Sequence, residues 1–97
     1  MKILFAVTRT KGPAWDDSKP LQSQHQWTEH AAFMNGLAAR GLVILGGPLA
    51  DSGDALLIFN APDEQAIHDA LSPDPWQGSL LTTRSIQRWT ILLQPPE

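Results

Sequence analysis

Residues 42–59 read LVILGGPLADSGDALLIF and contain two apolar segments separated by a run of turn-forming residues. Residues 42–45 and Ala55–Phe59 are short, apolar and partly β-branched, as strands are. The glycine, serine and aspartates of 50–54 lie between them and favour a reversal of the chain. The stretch therefore predicts a β-hairpin whose first strand ends in Gly-Gly-Pro at 46–48.

A helix is expected on each side of this hairpin. Before it, Ser23 and Gln26 have the spacing of a capping box, and apolar residues then recur at helical intervals up to Gly41. Gly41 suits the position just after the helix, because glycine readily adopts the left-handed backbone that often ends one. After the hairpin, Pro62 fits the first position of a second helix, which Pro73 ends.

Each end of the chain adds a strand. Residues 2–8 are apolar and partly β-branched, and residues 80–93 are strand-like, most strongly over 89–93. The order βαββαβ is that of the ferredoxin-like arrangement, an α+β fold with two helices on one face of an antiparallel sheet. With 97 residues, the chain is expected to form one domain over 1–97.

The loop over 9–22 is long for so small a domain. It carries Trp15 among glycine, prolines and aspartates. Loops of this length often cover a functional site, and the alternative is a surface excursion that only connects two elements.

The strands predict a second subunit. Apolar residues occupy consecutive positions in them, so both faces of the sheet are expected to be buried. Two helices can cover only one face, and an exposed apolar face would exceed the patch of roughly a few hundred Å² that monomers tolerate. We therefore expect a homodimer formed through the open face of the sheet.

Composition excludes several kinds of site and partner. The chain has no cysteine, which removes disulfides, thiolate nucleophiles and Cys-based zinc sites. Seven basic and ten acidic residues give a net charge of −3, and the basic residues are scattered, so no nucleic-acid partner is expected. The N-terminal apolar run over 3–7 is too short for a signal peptide or a membrane span, which favours a cytoplasmic protein without a membrane partner.

His30 is the main candidate for chemistry, on the apolar face of the first predicted helix. Imidazole both accepts and donates protons near neutral pH, which suits a general base, and the alternative is a core histidine bonded to a backbone carbonyl. Asp74 is its natural partner, because prolines on both sides stiffen its turn and a carboxylate held there can orient an imidazole. The alternative for Asp74 is an ordinary Asp-Pro turn.

No metal and no organic cofactor are expected. His25 and His30 are five residues apart and diverge by roughly 140° around a helix, whereas zinc needs three or four convergent ligands. His68 has no histidine at coordinating spacing. The sequence contains no glycine-rich phosphate loop and no nucleophile elbow.

Several segments together resemble the YCII-related (YciI-like) family. They are WTEHAAFM at 27–34, residues 41–49 with Gly-Gly-Pro-Leu at their end, Asp-Pro-Trp at 74–76, and Trp89, in an order that fits residues 3–93. The resemblance implies a dimeric α/β barrel and a site where the helix histidine meets the Asp-Pro aspartate, here His30 and Asp74. Many family members have an arginine where this chain has Trp27, and this departure favours a more apolar ligand.

These observations predict a cofactor-independent small-molecule enzyme of the lyase or isomerase type, in which His30 removes a proton and Asp74 orients the imidazole. A pocket for a small, flat or aromatic ligand is expected to be lined by Trp15, Trp27, Gly47, Pro48 and Trp76. Two alternatives stay open. One is a non-catalytic domain that binds a metabolite through His30, and the other is a cofactor-free oxygenase, by analogy with other dimeric α/β barrels.

Overall fold

The computed structural model describes residues 2–96, so Met1 and Glu97 of the predicted domain lie outside the described residues. Its elements are β1 (Lys2–Lys11), a short 3-10 helix (Leu21–Ser23), α1 (Trp27–Ala39), β2 (Val43–Pro48), β3 (Ala55–Phe59), α2 (Glu64–Leu71) and β4 (Leu81–Ile91). The four strands form one antiparallel sheet in the order β2-β3-β1-β4. The predicted α+β class, with an antiparallel sheet and two helices, is confirmed.

The central hairpin is also confirmed. β2 pairs with β3 antiparallel, and it ends in the Gly-Gly-Pro segment, as expected. Pro48 lies opposite Ala55 on β2, which is an edge strand of the sheet. An edge position suits proline because it has no backbone N–H to donate to a further strand.

β1 continues three residues beyond its predicted end at Thr8, so the placement of Arg9 in a loop is wrong. Pairing with β4 extends the strand down to Lys11, across a bulge at Thr8 and Arg9. The extra residue of this bulge, Arg84, belongs to β4, so the alternation of sides along β1 is not interrupted. Arg9 therefore points to the same side of the sheet as the buried Val7.

The start of α1 differs from the prediction. Ser23 belongs to the 3-10 helix, and Gln26 precedes α1 in the left-handed region, at a φ of 59°, without a side-chain cap. The predicted capping box is therefore wrong. The neighbouring Gln24 is buried, and its side-chain amide donates to backbone oxygens of the first loop.

The other helix ends follow ordinary capping chemistry. Gly41 has a φ of 76°, its N–H donates to Ala38 O and the next N–H donates to Leu37 O, so the predicted glycine stop is confirmed as a Schellman motif. α2 begins after Asp63, whose carboxylate accepts the Ala66 N–H at 2.9 Å. The predicted start at Pro62 is therefore wrong by two residues.

Both helices cover the same face of the sheet, and the core lies between the helices and that face. Its buried members are Phe5, Val7, Leu37, Val43, Leu57, Phe59, Ile67 and Leu71. The opposite face is open and apolar, and a concavity of about 550 Å³ on it is lined by Ala6, Leu45, Leu56, Ile58, Gln87, Arg88 and Trp89. Leu45 on this face is 64% exposed. Within residues 2–96, neither helix has the length and apolar character needed to span a bilayer.

Gly12 provides a test of how the first loop is attached to the sheet. Its N–H donates to Leu80 O at 2.8 Å, and a Cβ at this position would overlap the backbone oxygen of Ser79. We expect Gly12→Ala to force the two backbone segments apart and to lower the free energy of unfolding by about 1–3 kcal/mol. Urea denaturation measures this change.

Gly36→Ala is the matched control, because an added Cβ in that part of α1 meets nothing within 4 Å. Alanine is the better helix former by about 1 kcal/mol, so this variant is expected to keep or gain stability. Equal stability of the two variants would contradict the close backbone approach at Gly12.

Candidate active site

Asp74 lies in the turn that follows α2, and the turn holds its carboxylate in one position. The Asp74 N–H donates to Leu71 O at 3.0 Å, and Asp74 O accepts the Gln77 N–H at 3.0 Å. The Trp76 N–H donates to Asp74 Oδ1, also at 3.0 Å. The side chain is fully shielded from solvent, so the carboxylate is both buried and fixed by its own backbone.

His30, in the first turn of α1, meets this carboxylate. Its Nδ1 lies 2.8 Å from Asp74 Oδ1, although the two residues are 44 apart in the chain. Nε2 makes no hydrogen bond to any residue of 2–96. It does not belong to the buried polar atoms that lack a partner, so it is accessible to solvent. The imidazole therefore binds Asp74 through one nitrogen and presents the other to the surface.

The ionisation of Asp74 fixes the roles of these atoms. Burial raises the pKa of Asp74, but hydrogen bonds from His30, from the Trp76 backbone and from Arg9 together outweigh burial and hold its pKa below the ordinary value. An ionised carboxylate only accepts hydrogen bonds. The Nδ1–H of His30 must therefore be the donor, which leaves the Nε2 lone pair of the neutral ring free for a proton.

Arg9 and Gln77 are members of the site that the sequence reasoning missed. Arg9 Nη1 donates to Asp74 Oδ2 at 2.8 Å, and Nη2 donates to Gln77 Oε1 at 2.7 Å. A signal for Arg9 is present in the sequence, since it continues the alternation of Phe5 and Val7 and is thus a charged residue at an inward position. No comparable signal marks Gln77.

Three of the predicted tryptophans surround the imidazole. The ring of Trp76 is stacked on that of His30, with 3.9 Å between centroids and 5° between planes. Trp27 lies beside both rings, at 6.1 Å from His30 and 5.9 Å from Trp76. Trp15 meets Trp76 edge-on at 5.8 Å. Trp76 has no exposed surface, so it supports the imidazole from behind, whereas Trp15 and Trp27 are only partly buried.

The first loop is attached firmly enough to keep Trp15 in this place. The Gln24 side chain accepts the Asp16 N–H at 3.1 Å and donates to Asp16 O at 2.7 Å and to Lys19 O at 3.0 Å. The Ala14 N–H donates to Ser79 O at 3.0 Å. The loop thus covers one side of the aromatic cluster as a fixed wall.

Gly47 and Pro48 are not brought to this cluster. Pro48 lies opposite Ala55 on β3, which in turn lies opposite Arg9, so the predicted Gly-Pro contribution is two strands away. The concavity on the open face and a second one of about 190 Å³ between α2 and β4 are lined by other residues than His30 and Asp74. Neither of these two concavities therefore serves the imidazole.

The described residues offer no set of metal ligands around His30. Within 2–96, no three histidine, aspartate or glutamate side chains converge as a metal site requires. Asp74, which binds the imidazole, already forms an ion pair with Arg9. The arrangement is instead that of a base oriented by a carboxylate, which can move a proton at Nε2.

The lowered pKa of Asp74 makes a prediction about stability. The ionised carboxylate stabilises the folded protein above the ordinary value of 3.8, and this contribution is lost as the pH falls through the lowered pKa. We expect Asp74→Asn to lower the free energy of unfolding at pH 7 by about 3 kcal/mol, because it leaves the buried Arg9 unpaired. The difference from the native protein should shrink below pH 4.

Urea denaturation between pH 7 and pH 3 measures both effects. Asp51→Asn, at an exposed aspartate of the β2–β3 turn, serves as the control and should match the native protein throughout. A difference between native and Asp74→Asn that stays constant down to pH 3 would contradict the assigned ionisation.

The chain matches neither a protein-family model nor a curated protein. Its function is therefore argued from the geometry of the site.

Proposed function

We propose that the protein is a cofactor-independent enzyme of small-molecule metabolism, of the lyase or isomerase type, with His30 as its general base and Asp74 as the residue that orients the base. The observation that carries this proposal is the asymmetry of the imidazole, with Nδ1 at 2.8 Å from a buried carboxylate and Nε2 free at the surface. With Nδ1–H bonded to Asp74, Nε2 is the nitrogen that can accept a proton from a ligand.

The proposed reaction begins with a proton transfer that is common to the lyase and the isomerase type. Nε2 takes a proton from a carbon next to a carbonyl group, and the electron pair of that C–H bond forms the enolate. In an isomerisation, the imidazolium returns the proton to another carbon of the conjugated system. In an elimination, the electron pair expels a leaving group from the β-carbon, and the imidazolium gives its proton to that group. Asp74 stabilises the imidazolium in both cases.

The aromatic residues indicate the kind of substrate. Trp27 is partly exposed beside the imidazole and Trp15 is partly exposed beside Trp76, and indole faces bind flat apolar groups. Arg9 is not free to bind an anion, because its guanidinium is buried and bonded to Asp74. The proposed substrate is therefore a flat, largely apolar carbonyl compound, and Trp76 holds the imidazole instead of touching the substrate.

The family and the assembly are parts of the same proposal. The contact between the helix histidine and the Asp-Pro aspartate, together with the strand order β2-β3-β1-β4, supports the YCII-related resemblance and the ferredoxin-like arrangement. The open face of the sheet supports a homodimer of the α/β barrel type. Leu45 and Trp89 are exposed there on strands that the two helices cannot cover from the other side.

One observation favours a second function, a domain that binds a ligand without changing it. Neither of the two concavities described above includes His30, whose side chain is 9% exposed. Proton abstraction from carbon depends on excluding water, which calls for a pocket that encloses the substrate at Nε2. In that function, His30 Nε2 is a hydrogen-bond partner of the ligand.

Proton exchange tests the general base directly. Aryl-substituted pyruvates, acetones and unsaturated lactones are incubated with the protein in D₂O, and proton NMR follows loss of the signal next to the carbonyl. We expect one of these classes to exchange faster with the native protein than in buffer. His30→Asn is expected to lower that rate by about 100-fold or more, since this is the usual contribution of a positioned base.

His68→Asn is the matched control, because His68 is an exposed histidine on α2 away from the cluster. It should exchange at the native rate. Equal rates for His30→Asn and native protein would remove His30 from the reaction. Binding of a compound, seen by saturation-transfer NMR, without exchange in any variant would favour the non-catalytic function.

The proposed dimer is tested at Leu45. A charged residue there costs a single chain little, because the side chain already lies in water, but it would be buried in an interface across the open face. We expect the native protein to sediment as a dimer and Leu45→Glu as a folded monomer. Ala38→Glu, on the exposed side of α1, should remain dimeric, and a native monomer would contradict the proposal.

A further inference from the structure

Arg9 is buried more deeply than His30, and both of its Nη groups are used at the site. Its side chain is 1% exposed, and its Nη1 and Nη2 donate to Asp74 Oδ2 and Gln77 Oε1. Gln77 belongs to the same turn as Asp74, because its N–H donates to Asp74 O. The guanidinium therefore holds the carboxylate and the end of its turn together.

The two oxygens of Asp74 have separate partners. Oδ1 accepts from His30 Nδ1 and from the Trp76 backbone, and Oδ2 accepts from Arg9. With Oδ2 held by Arg9, the carboxylate cannot rotate without losing a charged hydrogen bond, so Oδ1 stays directed at the imidazole. The orientation of His30 thus depends on a residue that does not touch it.

The charge of Arg9 matters as much as its geometry. A guanidinium is protonated at any working pH, so Arg9 and Asp74 form a neutral pair against the imidazole. A lone buried carboxylate at the same 2.8 Å would draw a proton onto His30, and an imidazolium cannot accept another. The pair therefore orients the ring while attracting a proton to it less strongly than a lone carboxylate would.

We propose that Arg9 is a positioning residue of the active site, which fixes Asp74 against His30 and offsets its charge, so that the imidazole is oriented and still able to accept a proton. This inference rests on the proposed function of His30. It goes further because it assigns a role to a residue on a different element, β1, whose positive charge offsets that of the Asp74 carboxylate.

The remaining charged or titratable groups near His30 are exposed. They are Glu29 on α1 itself, His25 on the segment before it and Lys11 beside Trp15, at 5.2 Å from that ring. Lys11 is also paired with Asp17. Exposed charges act weakly through water, so Arg9 and Asp74 dominate the electrostatic environment of the ring.

The position of Arg9 is poorly explained by stability alone. Its Nε and the Thr83 Oγ1 opposite it are buried without a hydrogen-bond partner among residues 2–96, and each such group costs about 1–3 kcal/mol. Apolar residues in place of a buried ion pair are often as stable or more so. A buried arginine that leaves one donor unpaired fits a role in the chemistry of Asp74 and His30.

The test is a titration of His30 in the protein without substrate. NMR follows the ring protons of the three histidines against pH, and His30→Asn identifies the His30 signal. We expect Arg9→Met to move the midpoint of the His30 titration upward by about one pH unit or more, because the carboxylate is no longer offset. An unchanged midpoint would overturn the proposal.

Arg84→Met is the matched control. Arg84 also pairs with an aspartate at 2.8 Å, Asp54, but outside this site, so its loss should leave the His30 midpoint unchanged. The double variant Arg9→Met with Asp74→Asn removes both charges and is measured in any case, which also covers a failure of Arg9→Met to fold. We expect its midpoint to lie no higher than the native one, and a midpoint above the native one would overturn the proposal.

Arg9→Lys separates charge from geometry. Lysine keeps the positive charge but not the two-pronged contact with Asp74 and Gln77, so we expect a native titration midpoint with a lower exchange rate on any confirmed substrate. An exchange rate equal to that of the native protein would show that the two-pronged contact of the guanidinium has no positioning role. The titrations need no substrate, so they judge Arg9 even if the exchange experiment on His30→Asn fails.

Discussion

The buried carboxylate of Asp74 is the point on which the arrangement of this molecule depends. It accepts hydrogen bonds from β1 through Arg9, from α1 through His30 and from its own turn through Trp76. These segments are remote in sequence and are joined in the fold only by the sheet and its helical layer. A charge buried this deeply persists because both of its oxygens accept hydrogen bonds and one of them is paired with a guanidinium, so the site is an integral part of the packing.

The fold serves this site in two ways. The bulge between β1 and β4 absorbs its extra residue on β4, which keeps Arg9 on the helical side of the sheet. The aromatic cluster supports the imidazole from below, through the stacked Trp76, and from the side, through Trp27. The result is a ring with fixed position and one free nitrogen, a pre-organised state that costs no rearrangement when a substrate arrives.

Local patterns in the sequence were sufficient for much of this structure. The spacing of apolar residues, the turn-forming residues and the capping residues all act between near neighbours in the chain. They were enough to predict the hairpin, the glycine stop at Gly41 and the order of elements. Arg9 was misplaced because a charged residue after an apolar run resembles the start of a loop, and only pairing with β4 extends the strand. The prediction of a capping box at Ser23 was wrong because Ser23 ends a separate 3-10 helix and Gln26 adopts a left-handed backbone before α1 begins.

The central position of β1 in the sheet affects how the protein folds during its synthesis. β1 lies between β3 and β4, and β4 is the last of the four strands in chain order, so it leaves the ribosome after the other three. Until then, an apolar strand has one row of unsatisfied backbone groups, which is a template for aggregation. β1 pairs with β4 from Lys2, opposite Ile91, to Lys11, opposite Leu81, so a chain released before Leu81 would leave this whole edge of β1 open. Synthesis of β4 therefore covers an edge that would otherwise be free to pair with another chain.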